Sequence, residues 1–402
     1  MRLCIRASRW LVVVTLLGCT GMLSAPDATV SVSDGDVPRV DADAPARDAR
    51  APTPSDAALD DAATGDADTG DAGRPGGLTC ADRASHPEWL LCEDFEGGAG
   101  DFDAWRAGTP FHELSGDEDR GRMNIVSDGV HAGAHALHMP ASAASGYRGA
   151  SLSWLQCAGD YERGCSLGGH DELFLRAWVR FGEEHRFVHH FLSIRGRYTA
   201  DSPYDDSLSG YWFNGTAGCL PDGTTHMSAT LEVDRRSESP RHHTGYFYSY
   251  HPDMPRTRCG GGNARFPEIC RDCNRWEAIR LAPSCDDSDH GCYWGETFEV
   301  GDAELAADPD RFTFPKGEWT CLEMRVRLNT PGVADGEMEY WIDDAPAFAV
   351  RDMRWRTVDT VALNRVELQH YINGSNWFGT PEQSNEVWFD DVVISTRRVG
   401  CR

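Results

Sequence analysis

The chain has 402 residues, of which 40% are hydrophobic, and a formal net charge of -26 at pH 7. The part that follows residue 77 carries -21 of that charge. Because a protein binds a phosphate backbone through a basic surface, this balance excludes nucleic acid as an expected partner. The length allows one large domain or two smaller ones, so length alone does not choose between them.

The N-terminus has the pattern of an export signal. A basic stretch at residues 2–9 precedes the apolar run Trp10–Leu17, which is too short to span a bilayer as a helix. The closing residues Leu16-Leu17-Gly18-Cys19 resemble the lipobox of bacterial lipoproteins, which are cut before a lipidated cysteine. We therefore expect residues 1–18 to be removed and Cys19 to anchor an exported protein in the bacterial cell envelope, at the outer membrane or cell surface. The alternative is an ordinary secretory signal that is cut elsewhere.

Residues 19–77 form the next segment, in which Asp alternates with Ala, Pro, Thr and Ser and no aromatic residue occurs. Such a composition cannot bury enough apolar surface to offset the conformational entropy of folding. Its net charge of -8 should extend it by self-repulsion. We interpret it as a disordered acidic tether between the lipid and a folded part.

Fourteen cysteines occur in the chain, and twelve of them follow residue 77. An even number in an exported protein favours disulfides, although spacing does not give their connectivity. The local groupings are Cys80 with Cys92, Cys157 with Cys165, and a cluster at residues 259–292. A zinc site built on Cys270 and Cys273 is the alternative for part of that cluster, because two thiolates at this spacing can share one metal ion.

Several segments after residue 77 alternate apolar and polar residues with a period of two, which is typical of β-strands with one packed face. No window of helical length keeps a 3.6-residue stripe. The predicted fold class is therefore all-β, an antiparallel two-sheet sandwich with large disulfide-linked loops, occupying residues 78–402 as one domain. The predicted core faces are Leu175, Ala177, Val179 and Phe181, then Met227, Ala229, Leu231 and Val233, then Leu322, Met324, Val326 and Leu328.

Three stretches resemble a known family. They are Phe314-Pro-Lys-Gly-Glu-Trp319, Arg327-Leu-Asn-Thr-Pro-Gly332 and the segment 335–343, which ends in Trp-Ile-Asp. Together with residues 366–375 and 387–394 they resemble concanavalin A-like jelly rolls, and most closely polysaccharide lyase family 14, the alginate and glucuronate lyase type. The resemblance covers roughly residues 172–395 and implies a jelly-roll sandwich that cleaves or binds a uronic-acid polysaccharide.

The resemblance also implies catalytic positions. The family places a lysine on one strand, a Ser-x-Arg pair on the next and a Tyr-x-Tyr pair after that. In this chain His189 or His190 stands near the lysine position, Ser228 matches the serine while Thr230 replaces the arginine, and the tyrosine pair is Tyr248 and Tyr250.

Eliminative cleavage of a uronate needs a group that neutralises the carboxylate, a base for the C5 proton and an acid for the leaving oxygen. A histidine suits the base or the neutralising group, and a desolvated tyrosine hydroxyl can serve as acid or base. Arg325 and Arg327 lie on a polar face whose counterpart in the family lines the cleft, so we expect them to share the surface of the catalytic candidates and to clamp a carboxylate. The full set of predicted substrate-binding residues is Arg325, Arg327, Glu232, Gln369 and Trp377.

Two other functions stay open. A glycoside hydrolase needs two carboxylates that flank the bond, and Glu232 with Glu367 could supply them, although no ExDxxE strand is present. A non-catalytic, lectin-like carbohydrate-binding protein needs only aromatic platforms and a few hydrogen bonds. Its candidate platforms are Trp178, Tyr248, Tyr250 and Trp377.

No cofactor is expected to be required. Jelly rolls of this kind often hold a structural calcium ion between their first and last strands, and Asp94, Glu96 and Asp390 offer the oxygen ligands that calcium prefers. The alternative is that Asp390 simply ends a strand. We expect a polysaccharide and, through the lipid, a membrane as partners, and a monomeric protein.

Overall fold

The computed structural model describes residues 78–111, 113–115, 122–140, 147–148, 150–158, 166–185, 188–198, 221, 223–224, 226–233, 241–254, 295–373 and 386–401. The predicted signal, Cys19, the tether and the cysteine cluster at residues 259–292 lie outside these ranges. The structure therefore does not test the predictions made for these segments.

The described strands form two eight-stranded antiparallel sheets that pack as a sandwich, as the alternation predicts. The first sheet has the order β17-β16-β15-β9-β20-β4-β3, with β1 also paired to β20. Its strands are β1 (Trp89–Glu93), β3 (Asn124–Val126), β4 (Ala136–Met139), β9 (Glu172–Phe181), β15 (Trp319–Arg327), β16 (Gly336–Ile342), β17 (Ala345–Met353) and β20 (Val387–Ser395).

The second sheet has the order β13-β12-β11-β10-β18-β6-β2, with β14 also paired to β12. Its strands are β2 (Glu113–Ser115), β6 (Ser151–Leu155), β10 (Val188–Tyr198), β11 (His226–Val233), β12 (His242–Tyr250), β13 (Glu296–Phe298), β14 (Thr313–Pro315) and β18 (Val361–Gln369). Two small ladders pair β5 (Tyr147–Arg148) with β19 (Ile372–Asn373) and β7 (Cys157–Ala158) with β8 (Ser166–Leu167).

Short helices connect the strands. They are α1 (Phe102–Gly108), α2 (Asp302–Ala307) and α3 (Pro309–Phe312), with 3-10 turns at Cys80–Ser85 and Gly97–Gly100. In α1 the side chain of Asp101 accepts a hydrogen bond from the N–H of Ala104, which satisfies an otherwise unpaired donor of the first turn. Within the described ranges, no helix is long and apolar enough to cross a membrane.

The core lies between the two sheets and contains all three predicted core faces, which confirms them. Leu175 of β9 and Leu322 of β15 reach it from the first sheet, and Leu231 of β11 reaches it from the second. Each of these side chains is at most 1% exposed. The alternation of apolar and polar residues predicts the core correctly because successive side chains of a strand point to opposite faces.

Alternation of this kind usually leaves the second, polar face of a strand exposed to solvent, but the structure buries part of that face in β9 and β15. Arg176 of β9 and Glu323 of β15 are fully buried on the outer face of the first sheet. Glu323 accepts hydrogen bonds from the backbone N–H groups of Val399 and Gly400, and Arg176 donates one to the carbonyl of Leu78. Segments at both ends of the described domain therefore cover this face, and their backbone groups hydrogen-bond to both buried charged side chains.

A tight turn joins β16 to β17. Asp343 and Asp344 both have positive φ, at 47° and 69°, between the paired residues Ile342 and Ala345. A two-residue hairpin loop with positive φ at both positions matches the twist of the strands, and Asp tolerates that conformation. The carboxylate of Asp344 also accepts a hydrogen bond from the N–H of Cys401.

Two disulfides are present among the described cysteines. Cys80–Cys92 confirms the predicted local grouping, with Cα atoms 5.4 Å apart. Cys321–Cys401 joins β15 to the C-terminal segment across 80 residues of sequence, with Cα atoms 6.0 Å apart. The second pairing was not predicted, because only the fold brings these two positions together.

Removing the long-range disulfide should destabilise the domain. We expect the double variant Cys321→Ser, Cys401→Ser to lose about 2–4 kcal/mol of unfolding free energy, because the bond restricts a long loop of the unfolded chain. Urea denaturation of the non-reduced protein measures this loss. The variant Cys80→Ser, Cys92→Ser is the control and should lose less, since it opens a loop of only 12 residues. An unchanged midpoint for the long-range variant would contradict the prediction.

Three histidines form a buried chain at one end of the sandwich. His185 follows β9, His243 lies in β12 and His370 follows β18. Nδ1 of His185 lies 2.8 Å from Nε2 of His243, and Nε2 of His185 lies 3.3 Å from Nε2 of His370. Burial lowers the pKa of His185 and His243 well below the ordinary value and that of His370 to about 3. All three rings are therefore neutral in the folded protein near neutral pH.

Candidate functional site

Four adjacent strands of the second sheet, β18, β10, β11 and β12, carry polar side chains in register. The face that points away from the core is called the polar face below. Its first row, read across the strands, is Arg365, Arg195, Ser228 and Tyr250. Its second row is Glu367, Ser193, Thr230 and Tyr248. Neighbouring strands lie about 4.8 Å apart, so members of a row are direct neighbours.

The polar face follows from the alternation of its strands. In β10, Leu192 and Ile194 belong to the core, so Ser193 and Arg195 project to the other side. Most polar side chains of this face are nevertheless buried, with Glu232 and Ser193 at 0% exposure, whereas Tyr248 is partly exposed. Buried polar groups need hydrogen-bond or ionic partners, and the contacts below provide them.

Two tyrosine hydroxyls meet on the polar face. The Oη atoms of Tyr248 and Tyr250 lie 3.1 Å apart, and the N–H of Gly295 donates a 2.9 Å hydrogen bond to Tyr248 Oη. Burial raises the pKa of Tyr250 to about 12 and that of Tyr248 well above 10. Both hydroxyls are therefore protonated near neutral pH and can give a proton rather than take one.

His190 lies beside this pair and contacts a buried carboxylate. Its Nδ1 is 2.9 Å from Oε1 of Glu232, and the hydroxyl of Tyr246 donates a 2.7 Å hydrogen bond to Oε2 of the same residue. The ring centroids of His190 and Tyr248 are 5.8 Å apart. The side chain of His190 is 27% exposed, so solvent reaches the imidazole while Glu232 is enclosed.

Two arginines flank a second buried carboxylate. Arg195 Nη2 lies 2.6 Å from Oε2 of Glu367, and Arg365 Nη2 lies 2.5 Å from Oε1. Burial alone would raise the pKa of Glu367, but the two guanidinium groups hold it below its ordinary value. The three side chains carry a net charge of +1 together, within a strongly acidic chain. This cluster can attract a carboxylate ligand.

The structure does not bring Arg325 and Arg327 to this face, so the expectation that they share it is wrong. Both belong to β15 of the first sheet and point away from the core on its outer side. Arg325 pairs with Glu172 at 2.5 Å, with Glu337 at 3.0 Å and with Glu339. Arg327 pairs with Glu337 at 2.9 Å. Alternation predicts correctly that the two arginines share a face, but it does not reveal which sheet holds their strand.

The other predicted residues are distributed as follows. Ser228, Tyr248, Tyr250 and Glu232 lie on the polar face, although Glu232 contacts His190 rather than an open surface. Gln369 accepts a 3.3 Å hydrogen bond from Arg195, which places it beside the arginine cluster. The side chain of His189, and all of Trp377, lie outside what the structure describes. Their roles stay predictions.

The predicted calcium ligands are engaged by backbone groups. Asp390 Oδ2 accepts hydrogen bonds from the N–H groups of His131 and Ala132, and Glu96 Oε1 accepts them from Ala134 and His135. Asp94 accepts one from the N–H of Glu96. In the described part of the chain, no group of three or more His, Cys, Asp or Glu is arranged to hold a metal ion. Asp390 and Glu96 therefore hold the loop before β4 through its backbone N–H groups, and the calcium site stays a prediction.

The main site residues that sequence reasoning missed are Arg195 and Arg365. Each lies in a strand whose alternation is visible in the sequence, with Leu192 and Ile194 preceding Arg195 and with Val366 and Leu368 following Arg365. That pattern would have placed both arginines on a polar face. What it could not show is that β10 and β18 are neighbours, since 170 residues separate Arg195 from Arg365.

The family model described as Polysaccharide lyase 14 matches residues 293–392, which include β18 and its arginine. No curated protein sequence matches this chain.

Among solved structures, the chain is similar to the PL-14 alginate lyase from Aplysia kurodai, with 16% identity, a TM-score of 0.45 and coverage of 73% of this chain and 93% of that one. It is similar to a variant of alginate lyase Aly36B in complex with alginate trisaccharide, with 15% identity, a TM-score of 0.46 and coverage of 77% and 98%. It is also similar to endo-beta-1,4-glucuronan lyase from the fungus Trichoderma reesei, with 14% identity, a TM-score of 0.40 and coverage of 78% and 98%.

Proposed function

We propose that this protein is a β-eliminative lyase of uronic-acid polysaccharides that acts at the polar face of the second sheet. The observation that carries the proposal is the adjacency of three groups on four neighbouring strands. They are the imidazole of His190, the hydroxyls of Tyr248 and Tyr250, and the arginine cluster formed by Arg195 and Arg365 around Glu367. The family match over residues 293–392 supports the same reaction class.

The arginine cluster supplies the electrostatic part of the reaction. Removing the C5 proton of a uronate develops negative charge on its carboxylate, which a guanidinium group stabilises by charge-assisted hydrogen bonds. Arg195 is also the neighbour of Ser228 and lies in one row with Tyr250. A carboxylate bound there would have its sugar ring next to the tyrosine hydroxyls.

His190 supplies the base. A carboxylate oxygen can only accept a hydrogen bond, so the contact with Glu232 places the proton of the neutral imidazole on Nδ1 and the lone pair on Nε2. Nε2 takes the C5 proton, and the electrons of the C5–H bond form the C4–C5 double bond as the C4–O4 bond breaks.

Tyr250 supplies the acid. Its hydroxyl, with a pKa raised to about 12, gives its proton to the departing O4. The resulting phenolate lies beside the Tyr248 hydroxyl and feels the charge of Arg195, which lowers the energy of the anion. The proton held by His190 then restores the phenol through solvent. The products are an unsaturated uronate and a second fragment that ends in a hydroxyl group.

We also propose that this chemistry takes place at the bacterial cell envelope. The predicted lipid on Cys19 and the acidic tether would hold a monomeric domain away from the membrane. The supporting observations are the lipobox-like residues and the composition of residues 19–77.

The test is an activity assay on the full chain in detergent. It is incubated with polymannuronate, polyguluronate and polyglucuronate, and with a neutral β-glucan as the control. We expect an ultraviolet absorbance from the conjugated double bond to rise with at least one polyuronate and not with the glucan. Binding of a polyuronate without any absorbance change would overturn the lyase proposal and favour the carbohydrate-binding alternative.

A further inference from the structure

We propose that Glu232, anchored by Tyr246, is a positioning residue that fixes His190 in the Nδ1–H tautomer and aims its Nε2 at the substrate. The inference rests on the proposed lyase function. It changes the interpretation of Glu232, which the sequence assigns to substrate binding.

Glu232 is placed to hold another side chain rather than a ligand. It is 0% exposed, and its two oxygens face two different partners. Oε1 lies 3.2 Å from the backbone nitrogen of His190, whose N–H donates to it, and 2.9 Å from Nδ1 of the same residue. Oε2 accepts the 2.7 Å hydrogen bond from Tyr246. Main chain and side chain of His190 are therefore held by one carboxylate.

The backbone of His190 needs this support. Its φ is +66°, in the left-handed region that residues with a side chain rarely adopt. The register between β10 and β11 shifts between Val188 and Leu192, so His190 lies in an irregular part of the strand pair. Bulges of this kind turn a side chain away from the direction that regular alternation gives it. The strained conformation thus aims the imidazole over the polar face.

Other residues of the second sheet and of the segment after β18 also contact or face the imidazole of His190. The ring of Tyr371 stacks on His190 with centroids 5.2 Å apart and an interplanar angle of 17°, and the N–H of Tyr371 donates to the His190 carbonyl at 3.4 Å. Tyr248 approaches from β12 and the charge of Glu367 from β18. Of the two carboxylates that face the imidazole, Glu232 makes the direct contact.

The chemical consequence is a defined proton position. Without an acceptor at Nδ1, a neutral imidazole can carry its proton on Nε2, where it cannot accept the C5 proton. Loss of the orienting carboxylate in the Ser-His-Asp arrangement costs about 10⁴ in kcat for this reason. We expect the same kind of effect here, on kcat rather than on KM, because Glu232 is enclosed and does not contact substrate.

The experiment combines nuclear magnetic resonance and kinetics on the full chain. Nitrogen-15 labelling of histidines, with the His190 signals assigned by their loss in His190→Gln, reports the tautomer directly. We expect Nδ1–H in the wild type and a shift toward Nε2–H in Glu232→Gln, with kcat on a polyuronate reduced 10²- to 10⁴-fold and KM within about threefold. Glu232→Asp should recover part of the activity. Tyr246→Phe, which keeps the carboxylate, should reduce kcat by about tenfold.

Glu88→Gln is the matched control. His86 Nδ1 and Glu88 Oε1 form the same type of pair at 3.0 Å, outside the polar face, so this variant should change neither the His190 signals nor kcat. A wild-type His190 in the Nε2–H form would overturn the inference even if Glu232→Gln fails to fold. Wild-type lyase activity combined with an unchanged tautomer in Glu232→Gln would overturn it as well. Absence of activity with the expected tautomer shift would contradict only the proposed function.

Discussion

Replacing Tyr250 by phenylalanine should lower kcat on a polyuronate by about 10²- to 10⁴-fold, the usual contribution of a general acid. The reason is that its hydroxyl, with a pKa of about 12, is the group that protonates the leaving oxygen. The phenyl ring still fills the space next to Tyr248, so KM should change little. Initial rates of ultraviolet absorbance at several substrate concentrations measure both constants.

The control for Tyr250→Phe is Tyr340→Phe. The Tyr340 hydroxyl is also buried and donates a 3.1 Å hydrogen bond to the Gly245 carbonyl, but it lies in the core. Both variants lose a buried hydrogen bond worth about 1 kcal/mol of stability, and only Tyr250→Phe should lose turnover. If Tyr250→Phe retained wild-type kcat, Tyr250 would not be the acid. A binding protein would keep its affinity in Tyr250→Phe and lose it in Tyr250→Ala.

The second large effect is a loss of stability in mild acid, caused by the buried chain of His185, His243 and His370. Their folded-state pKa values lie below the ordinary value of about 6.5, so only the unfolded chain takes up protons as the pH falls below it. Their stabilising contribution is complete above pH 6.5 and is lost as the pH falls toward the folded values. Each histidine should cost about 1.4 kcal/mol of unfolding free energy per pH unit.

Other charged groups act on the same measurement. The charge of Lys316 faces His185 and His243, and His138 faces His370. Both neighbours make protonation of the three buried histidines less favourable. Asp390 acts in the opposite sense, because burial raises its pKa to about 7 and the folded state then takes up a proton first. We therefore compare the slope of the unfolding free energy against pH in the wild type with the same slope in a variant.

We expect the free energy of unfolding, from urea denaturation between pH 7 and pH 5, to depend less on pH in His370→Gln than in the wild type, by about 1 kcal/mol per pH unit on average over this range. His242→Gln changes an exposed histidine of the same strand as His243 and should keep the wild-type slope. Equal slopes in His370→Gln and the wild type would show that the buried chain does not control the response to acid.

The sequence determined the class of fold and the composition of the core. Period-two alternation in the segments of Leu175, Met227 and Leu322 predicted strands and their inner faces, because a strand sends successive side chains to opposite sides wherever it lies. The same local rule placed Ser228, Glu232 and the tyrosine pair on polar faces. The cysteine count in a chain with an export signal likewise predicted disulfides, and the local grouping of Cys80 with Cys92 is one that the structure contains.

Only the tertiary structure decided which polar faces meet. Strand order and register are set by contacts between segments far apart in sequence, and alternation within one strand carries no information about its neighbour. For that reason Arg325 and Arg327 were assigned to the wrong surface, whereas Arg195 and Arg365, from β10 and β18, form the cluster beside Tyr250. The irregular register at His190, which turns its ring toward Glu232, depends on the same long-range pairing.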